Sequence, residues 1–221
     1  MPEHNTNTIT TQTLRRMPYY IQQLKLLQKE NIATVSAPKI AERLKLNEVQ
    51  VRKDFAAVSS SRGKPKTGFS IAELLYNMEE LLGYHNADEA VLIGTGALAQ
   101  AILTHEGIQN YGLRVVAVFD TDDQSTEAEI NGIRILPADK ISNLCRRMKI
   151  HIGIITVPGI QAQEMCDRLI EGGVLAVWNF SPVHLSVPEH VLVHDENFAA
   201  SLAILSKHLK KEMRATGTLP V

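Results

Sequence analysis

The stretch from Val91 to Asp120, VLIGTGALAQAILTHEGIQNYGLRVVAVFD, constrains this chain more than any other. An apolar run, Val91-Leu92-Ile93, leads into Gly94-Thr95-Gly96. Ala97, Leu98 and Ala99 open a helical pattern of small and apolar residues. A second apolar run, Val115 to Phe119, ends on Asp120. Strand, glycine turn, helix, strand and acid, in that order, form the βαβ fingerprint of dinucleotide binding. Gly94 permits a tight turn. Gly96 has no Cβ, so a pyrophosphate can approach the backbone. The helix behind it offers unpaired N–H groups and the positive end of its dipole. Asp120 falls where a carboxylate accepts hydrogen bonds from both adenosine ribose hydroxyls. The third glycine of the pattern is Ala99, which the relaxed form admits. A glycine turn in an α/β core without a ligand is the competing reading, and the ordered context of strand, helix and acid weighs against it.

The rhythm continues downstream. Gly132 to Leu136 reads as a strand, Ala138 to Met148 as a helix and Ile152 to Val157 as a buried strand. Pro158-Gly159 opens a helix from Ile160 to Glu171, which Gly172-Gly173 ends. Val174 to Trp178 is another strand, and Val191 to Val193 a last one. Strands alternating with helices imply a parallel, doubly wound sheet of Rossmann type. Ligands on such sheets bind beyond the carboxyl ends of the strands. Thr156, Val157, Pro158, Asn179, Phe180 and Ser181 fall there and join the candidate site. The tail, Phe198 to Arg214, is a helix with Phe198, Leu202, Leu205, Leu209 and Met213 on one face and Lys207, Lys210, Lys211 and Arg214 on another. A helix placed after the sheet has closed either docks on its own sheet or packs outside its domain.

Ahead of the nucleotide fingerprint lies a different kind of sequence. Thr11 to Glu30 reads as a helix, with Leu14, Met17, Ile21, Leu24 and Leu27 at helical spacing; Pro18 interrupts it, which leaves open a later start near Pro18 with Met17 outside. Asn31 is a stop. Ser36 caps a second helix with Pro38 in its first turn. Lys45-Leu46-Asn47 is a short turn, and Asn47 with Gln50 suggests a capping box for a third helix with Val51, Phe55 and Val58 buried. Two short helices joined by three residues read as helix-turn-helix, the third helix entering the major groove with Gln50, Arg52 and Lys53 exposed. Arg and Lys read guanine edges and Gln reads adenine. Ser59, a further candidate DNA contact, starts the polar run SSSRGKPKTG, read as a wing whose Arg62, Lys64 and Lys66 touch phosphates or the minor groove; a flexible basic linker is the alternative. Ser70 to Leu82 is an amphipathic helix with a Ser70/Glu73 capping box, ended by Gly83.

Charge divides along the same line. The formal net charge is −1, but residues 1–84 carry 12 Lys/Arg against 8 Asp/Glu and residues 85–221 carry 11 against 16. Lys39, Arg43, Lys45, Arg52, Lys53, Arg62, Lys64 and Lys66 meet only Glu42, Glu48 and Asp54 between them. A basic cluster beside an acidic domain fits a polyanion-binding module. The expected division is 1–84, a winged helix-turn-helix; 85–197, a dinucleotide-binding sheet; and 198–221, a dimerisation helix and tail. No apolar run reaches the ~18 residues of a membrane span. The polar N-terminus lacks the apolar core of a signal peptide, and Cys145 and Cys166 lack metal or redox spacing, so a cytoplasmic chain is expected. Either thiol could be a redox sensor, but a core or surface thiol is the simpler reading. No Ser/His/Asp or Cys/His arrangement stands out, no metal site is expected, and no substrate domain accompanies the sheet. A sensor that reports a dinucleotide to DNA fits better than an enzyme; a Rossmann-type enzyme or a CoA- or nucleotide-binding subunit is the alternative.

LRRMPYYIQQL (Leu14 to Leu24), QVRKD (Gln50 to Asp54), TGF (Thr67 to Phe69), GTGALA, VFD, TVP and NFSPV (Asn179 to Val183) together resemble the Rex family of redox-sensing transcriptional repressors over nearly the whole chain. The resemblance implies an NAD(H)-responsive homodimer that represses transcription from double-stranded operator DNA and releases it when NADH binds, with NAD⁺ competing. It implies a C-terminal helix swapped between subunits, with Phe198 reaching the partner's nicotinamide site. Two departures stand out. The run after the recognition helix, FAAVSSSRGKPKTG, is longer and more basic than the family's. His105 and Asn197 match positions where the family commonly pairs a tyrosine with an aspartate.

Overall fold

The computed structural model describes residues 9–59, 68–85, 88–105, 107, 112–122 and 128–216. The chain divides into two compact units, Met1–Asn86 and Ala87–Val221.

The first unit contains α1 (Thr11–Lys29), β1 (Thr34–Val35), α2 (Ala37–Leu44), α3 (Glu48–Val58), β2 (Phe69–Ser70) and α4 (Ile71–Leu81). Short side chains start all four of these helices: Thr10 Oγ1 accepts from Thr13 N, Ser36 Oγ from Lys39 N, Asn47 Oδ1 from Val49 N and Gln50 N, and Ser70 Oγ from Glu73 N. Asn31 and Lys45 turn the chain in the left-handed region, with φ of 60° and 53°. α1 covers the stretch that the periodicity marks, and the alternative start near Pro18 is corrected. The helix begins at Thr11, capped by Thr10, and Pro18 lies inside it with Met17 wholly buried. A proline there removes one intrahelical bond and costs about 3 kcal/mol. Burying Met17 against the core returns about 1.5–3 kcal/mol, and Thr13 is buried one turn earlier. Tyr20, Leu24, Ile40, Val51, Phe55, Leu74 and Met78 meet in one core. Phe55 is its centre, edge-on to Tyr20 at 5.4 Å and to Phe69 at 5.3 Å between ring centroids. β1 and β2 pair antiparallel, Val35 opposite Phe69. Gly68, at φ 78°, makes that pairing possible, because a Cβ there would stand 2.5 Å from Val35 O.

The second unit contains β3 (Asp88–Ile93), α5 (Ala97–Thr104), β4 (Leu113–Asp120), β5 (Glu129–Ile130), β6 (Ile133–Pro137), α6 (Ile141–Met148), β7 (Ile152–Ile155), α7 (Gly159–Glu171), β8 (Ala176–Asn179), β9 (Leu192–Asp195) and α8 (Phe198–Ala215). A 3₁₀ turn, Ala138–Lys140, precedes α6, where sequence reading expected one continuous helix. The sheet order is β5-β6-β4-β3-β7-β8-β9; β5 is antiparallel to β6 and the other pairings are parallel. Alternation explains the near-continuous apolar runs of its central strands. Val91 and Ile93 join Ile141, Met165 and Leu169 in one cluster, while Ala90 and Leu92 join Ala99, Ile102 and Leu103 in another. Both faces are thus covered, as a parallel sheet requires. The strand order reverses between β3 and β7, and ligands of doubly wound sheets bind at such a switch point, outside the carboxyl ends of the strands. α8 differs from the other helices: none of its residues is buried.

Candidate dinucleotide crevice and nucleic-acid interface

The end of β3 meets the end of β7 at the switch point. Thr156 donates from both N and Oγ1 to Ile93 O, at 2.9 and 2.8 Å. Gly94 follows with φ of 108°, its N bonded to Phe119 O. A Cβ at Gly94 would lie 2.6 Å from Thr156 Oγ1. This glycine therefore serves both the left-handed turn and the close approach of β7. Gly96 does something else. Its φ of −64° suits any residue, and an added Cβ would meet nothing within 4 Å. The glycine faces open space, as a cradle for a ligand needs. No side chain caps α5 behind it, so its first N–H groups remain available to an anion. Ala97 is exposed and Ala99 buried beneath, where its small size lets α5 sit close on the sheet.

Asp120 ends β4 beside this turn. Its carboxylate accepts a hydrogen bond from Thr95 Oγ1 and another, at 3.0 Å, from Asp122 N. Thr95 thereby orients the acid. Val157 is buried, Pro158 stands at the N-cap of α7, and no side chain caps that helix either. Ile160, in its first turn, is 95% exposed; sequence reading took it only as the start of a helix. Phe180 lies tilted by 48° against Trp178 at 4.7 Å and approaches Phe198 at 6.3 Å between ring centroids. Asn179 and Ser181 differ from expectation. Asn179 is fully buried, donating to Val183 O and Asp195 Oδ1 and accepting from Ser181 N; Ser181 Oγ donates to Val157 O. Their side chains build the loop rather than face the crevice, because a buried amide and hydroxyl must find protein partners. His105 Nδ1 accepts from Gly107 N, and Asn197 caps α8 through Ala200 N. Burial pushes the Cys145 and Cys166 thiols up to about 11, so neither is a thiolate at neutral pH. Among the described residues no three His, Cys, Asp or Glu side chains converge as a metal site.

In the first unit, α3 presents Arg52 and Lys53 to solvent. Arg52 pairs with Glu48 one turn earlier. Gln50 is half-buried beside that face. Its Nε2 donates to Asp54 Oδ1 at 2.9 Å instead of returning to close a capping box. Ser59 donates to Glu73 at 3.1 Å, so its side chain faces α4. Arg62, Lys64 and Lys66 lie outside the described residues.

Asp54, in sequence only one acid of the basic cluster, is the buried centre of a network. It is 2% exposed and accepts from Thr13 Oγ1, Arg16 Nε and Nη2, Tyr20 Oη and Gln50 Nε2, tying α1 to α3. Burial alone would push its carboxyl up, but the hydrogen bonds from Arg16, Tyr20 and Gln50 and the Arg16 charge prevail and hold it below the usual carboxylate range. Its signal in the sequence was position: Asp54 adjoins Phe55 on the side of α3 that must be buried.

Comparison with known proteins covers both units. The family model described as "CoA binding domain" matches residues 85–183, and the one described as "Putative DNA-binding protein N-terminus" matches residues 8–56. The chain is similar to the redox-sensing transcriptional repressor Rex of Porphyromonas gingivalis, with 35% identity over 198 residues and 90% of each chain covered. It is similar to the Rex repressor of Bacteroides fragilis, with 34% identity over 208 residues and 94% of each covered. Among solved structures it is similar to RSP, a Rex-family repressor. The match to RSP in complex with β-NAD⁺ and operator DNA has a TM-score of 0.86 at 27% identity, covering 96% of this chain and 97% of that one. The match to RSP with β-NADH has a TM-score of 0.82 at 26% identity, covering 96% and 100%.

Proposed function

Because this chain belongs to the Rex family of redox-sensing transcriptional repressors, we propose that it binds palindromic operator DNA as a homodimer and releases it when NADH occupies the crevice of its sheet, with NAD⁺ competing. The family's members are repressors rather than enzymes, and the crevice serves sensing. One observation carries the reading. The same chain holds an open glycine cradle at an uncapped helix start, beside an acid, and a helix-turn-helix with exposed Arg52 and Lys53.

In this reading the N–H groups of α5 bind the pyrophosphate above Gly94, Thr95, Gly96, Ala97 and Leu98, and Asp120 accepts from the adenosine ribose. Thr156, Val157, Pro158, Phe180 and Phe198 bound the nicotinamide end. Reduced nicotinamide is neutral and oxidised nicotinamide is charged, so an aromatic wall favours the reduced form. Arg52 and Lys53 carry DNA binding, with Arg62, Lys64 and Lys66 supporting it from the wing. The protein acts in the cytoplasm; no described helix is long and apolar enough to cross a membrane.

Two variants test the crevice. Gly96→Val adds bulk where the structure has open space, at a φ that valine accepts, so melting is expected to change little while NADH affinity falls at least about tenfold. NADH fluorescence titration reads this, with CoA as control for the alternative ligand class. Asp120→Ala is expected to weaken NADH and to narrow the preference over NADPH, because Asp120 repels a 2′-phosphate and no arginine follows it. Equal affinity of the unaltered protein for NADH and NADPH, or tight CoA binding in place of NADH, would reject this cofactor.

A further inference from the structure

Helical geometry divides α3 into two sides. At 3.6 residues per turn, Glu48, Val49, Arg52, Lys53 and Ala56 share one face, and all five are exposed. Val51, Asp54 and Phe55 are buried on the other side, with Gln50 bonded to Asp54 beside them. The exposed face contains two features that the charge of a DNA-binding helix does not require. Val49, in the first turn, is 58% exposed. Glu48, the first residue of the helix, places a carboxylate beside Arg52 and pairs with Nη2 of its guanidinium. A carboxylate weakens attraction to phosphates, so on this face it is a cost to non-specific binding.

We propose that Val49 and the Glu48–Arg52 pair determine operator sequence, Val49 by apolar contact with a thymine methyl and Arg52, oriented by Glu48, by its fork on a neighbouring guanine. The chemistry matches what the major groove displays. Thymine alone among the four bases offers a methyl group there, and guanine offers the O6/N7 pair that a guanidinium grips. Glu48 holds the long Arg52 side chain in one geometry before DNA arrives and disfavours contact with the backbone, which raises the contrast between right and wrong sequences. Ala56, on the same face, has no long side chain to hold the helix away from the base edges. Gln50 takes no part, because its amide belongs to the Asp54 network. The assignment rests on the DNA-binding reading given above.

The test uses the full chain and a pool of randomised DNA duplexes. Selection at low salt yields the preferred palindrome. Each thymine of a half-site is then replaced by deoxyuridine, which lacks only the methyl. One such position is expected to lower the affinity of the unaltered protein about fourfold, the worth of one buried methyl, and to leave Val49→Ala indifferent. Glu48→Gln is expected to bind random duplex more tightly and to lose roughly tenfold in the ratio of selected to random sequence. Gln50→Ala is expected to leave base preference unchanged at every position. Deoxyuridine that is silent at every thymine, or that affects the unaltered protein and Val49→Ala equally, would overturn the Val49 assignment. A Glu48→Gln protein with an undiminished ratio would overturn the pair. Failure to enrich any duplex would overturn DNA binding itself, and so both readings, whereas an enriched palindrome with either negative result overturns only this one.

Discussion

Asp54→Ala is expected to melt the N-terminal unit roughly 12–24 °C earlier and to abolish operator binding, while NADH binding in the sheet survives. The figure follows from the network. Asp54 is 2% exposed and Arg16 22% exposed, and removing one partner of such a pair costs about 3 kcal/mol or more, because the other charge is left uncompensated. The Tyr20 hydroxyl loses its acceptor in the same step. For a unit of this size each kcal/mol corresponds to about 4–8 °C. Calorimetry reads the shift, and NADH fluorescence reports the second unit. A melting change of only a degree or two would show that the network is ornamental to stability. Its pH dependence has a definite sign. The folded-state pKa of Asp54 is held below the ordinary value of 3.8. Its contribution to stability is therefore fully present above that value and is lost as pH falls through the lower, folded value. The stability gap between the unaltered protein and Asp54→Ala should stay constant from neutral pH to about pH 5 and close in stronger acid.

Removing residues 198–221 is expected to give monomers that bind operator weakly and no longer respond to NADH. Phe198, Leu202, Leu205 and Leu209 form one stripe of α8 and are 61%, 62%, 64% and 56% exposed within a single chain. Burying such a side chain completely contributes about 1.5–3 kcal/mol. Covering what remains of four supplies several kcal/mol per helix, twice over in a two-fold dimer. That is on the scale of the about 4–15 kcal/mol that association costs, so a pair deprived of this stripe should separate at micromolar concentration. A palindrome needs two recognition helices about one DNA turn apart or a multiple of it, and a monomer offers one. Phe198→Ala is the finer probe. It should leave the dimer and operator affinity intact yet blunt release by NADH, since Phe198 is the aromatic group proposed for the partner's nicotinamide site. Analytical ultracentrifugation and a gel shift with and without NADH read both. A truncated protein that still dimerises and still leaves DNA on NADH addition would sink this mechanism.

The amino-acid sequence by itself determined the parts that depend on near neighbours. Ser36, Asn47 and Ser70 announce their helices because a cap needs only the next two or three residues. Gly94, Gly96 and Asp120 announce the crevice because a βαβ unit is one continuous stretch whose turn and strand ends are set by local geometry. The exposed apolar stripe of α8 was legible as periodicity, though not what it meets. The tertiary structure alone decided the fate of polar side chains that must choose among distant partners. Gln50 has the composition of a base reader and the position of one in the motif, yet it faces Asp54. Asp54 was a charge in a tally until Thr13, Arg16 and Tyr20, 34 to 41 residues earlier, converged on it. Asn179 and Ser181 stood at a strand end where ligands bind, but Val157, Val183 and Asp195 claimed their side chains. Pro18 left a later helix start open by local rule, and burial of Met17 carried the helix through it. In each case the outcome turned on desolvation: a buried polar group takes whichever partner the fold brings within reach, and that partner is set by packing between elements far apart in the chain.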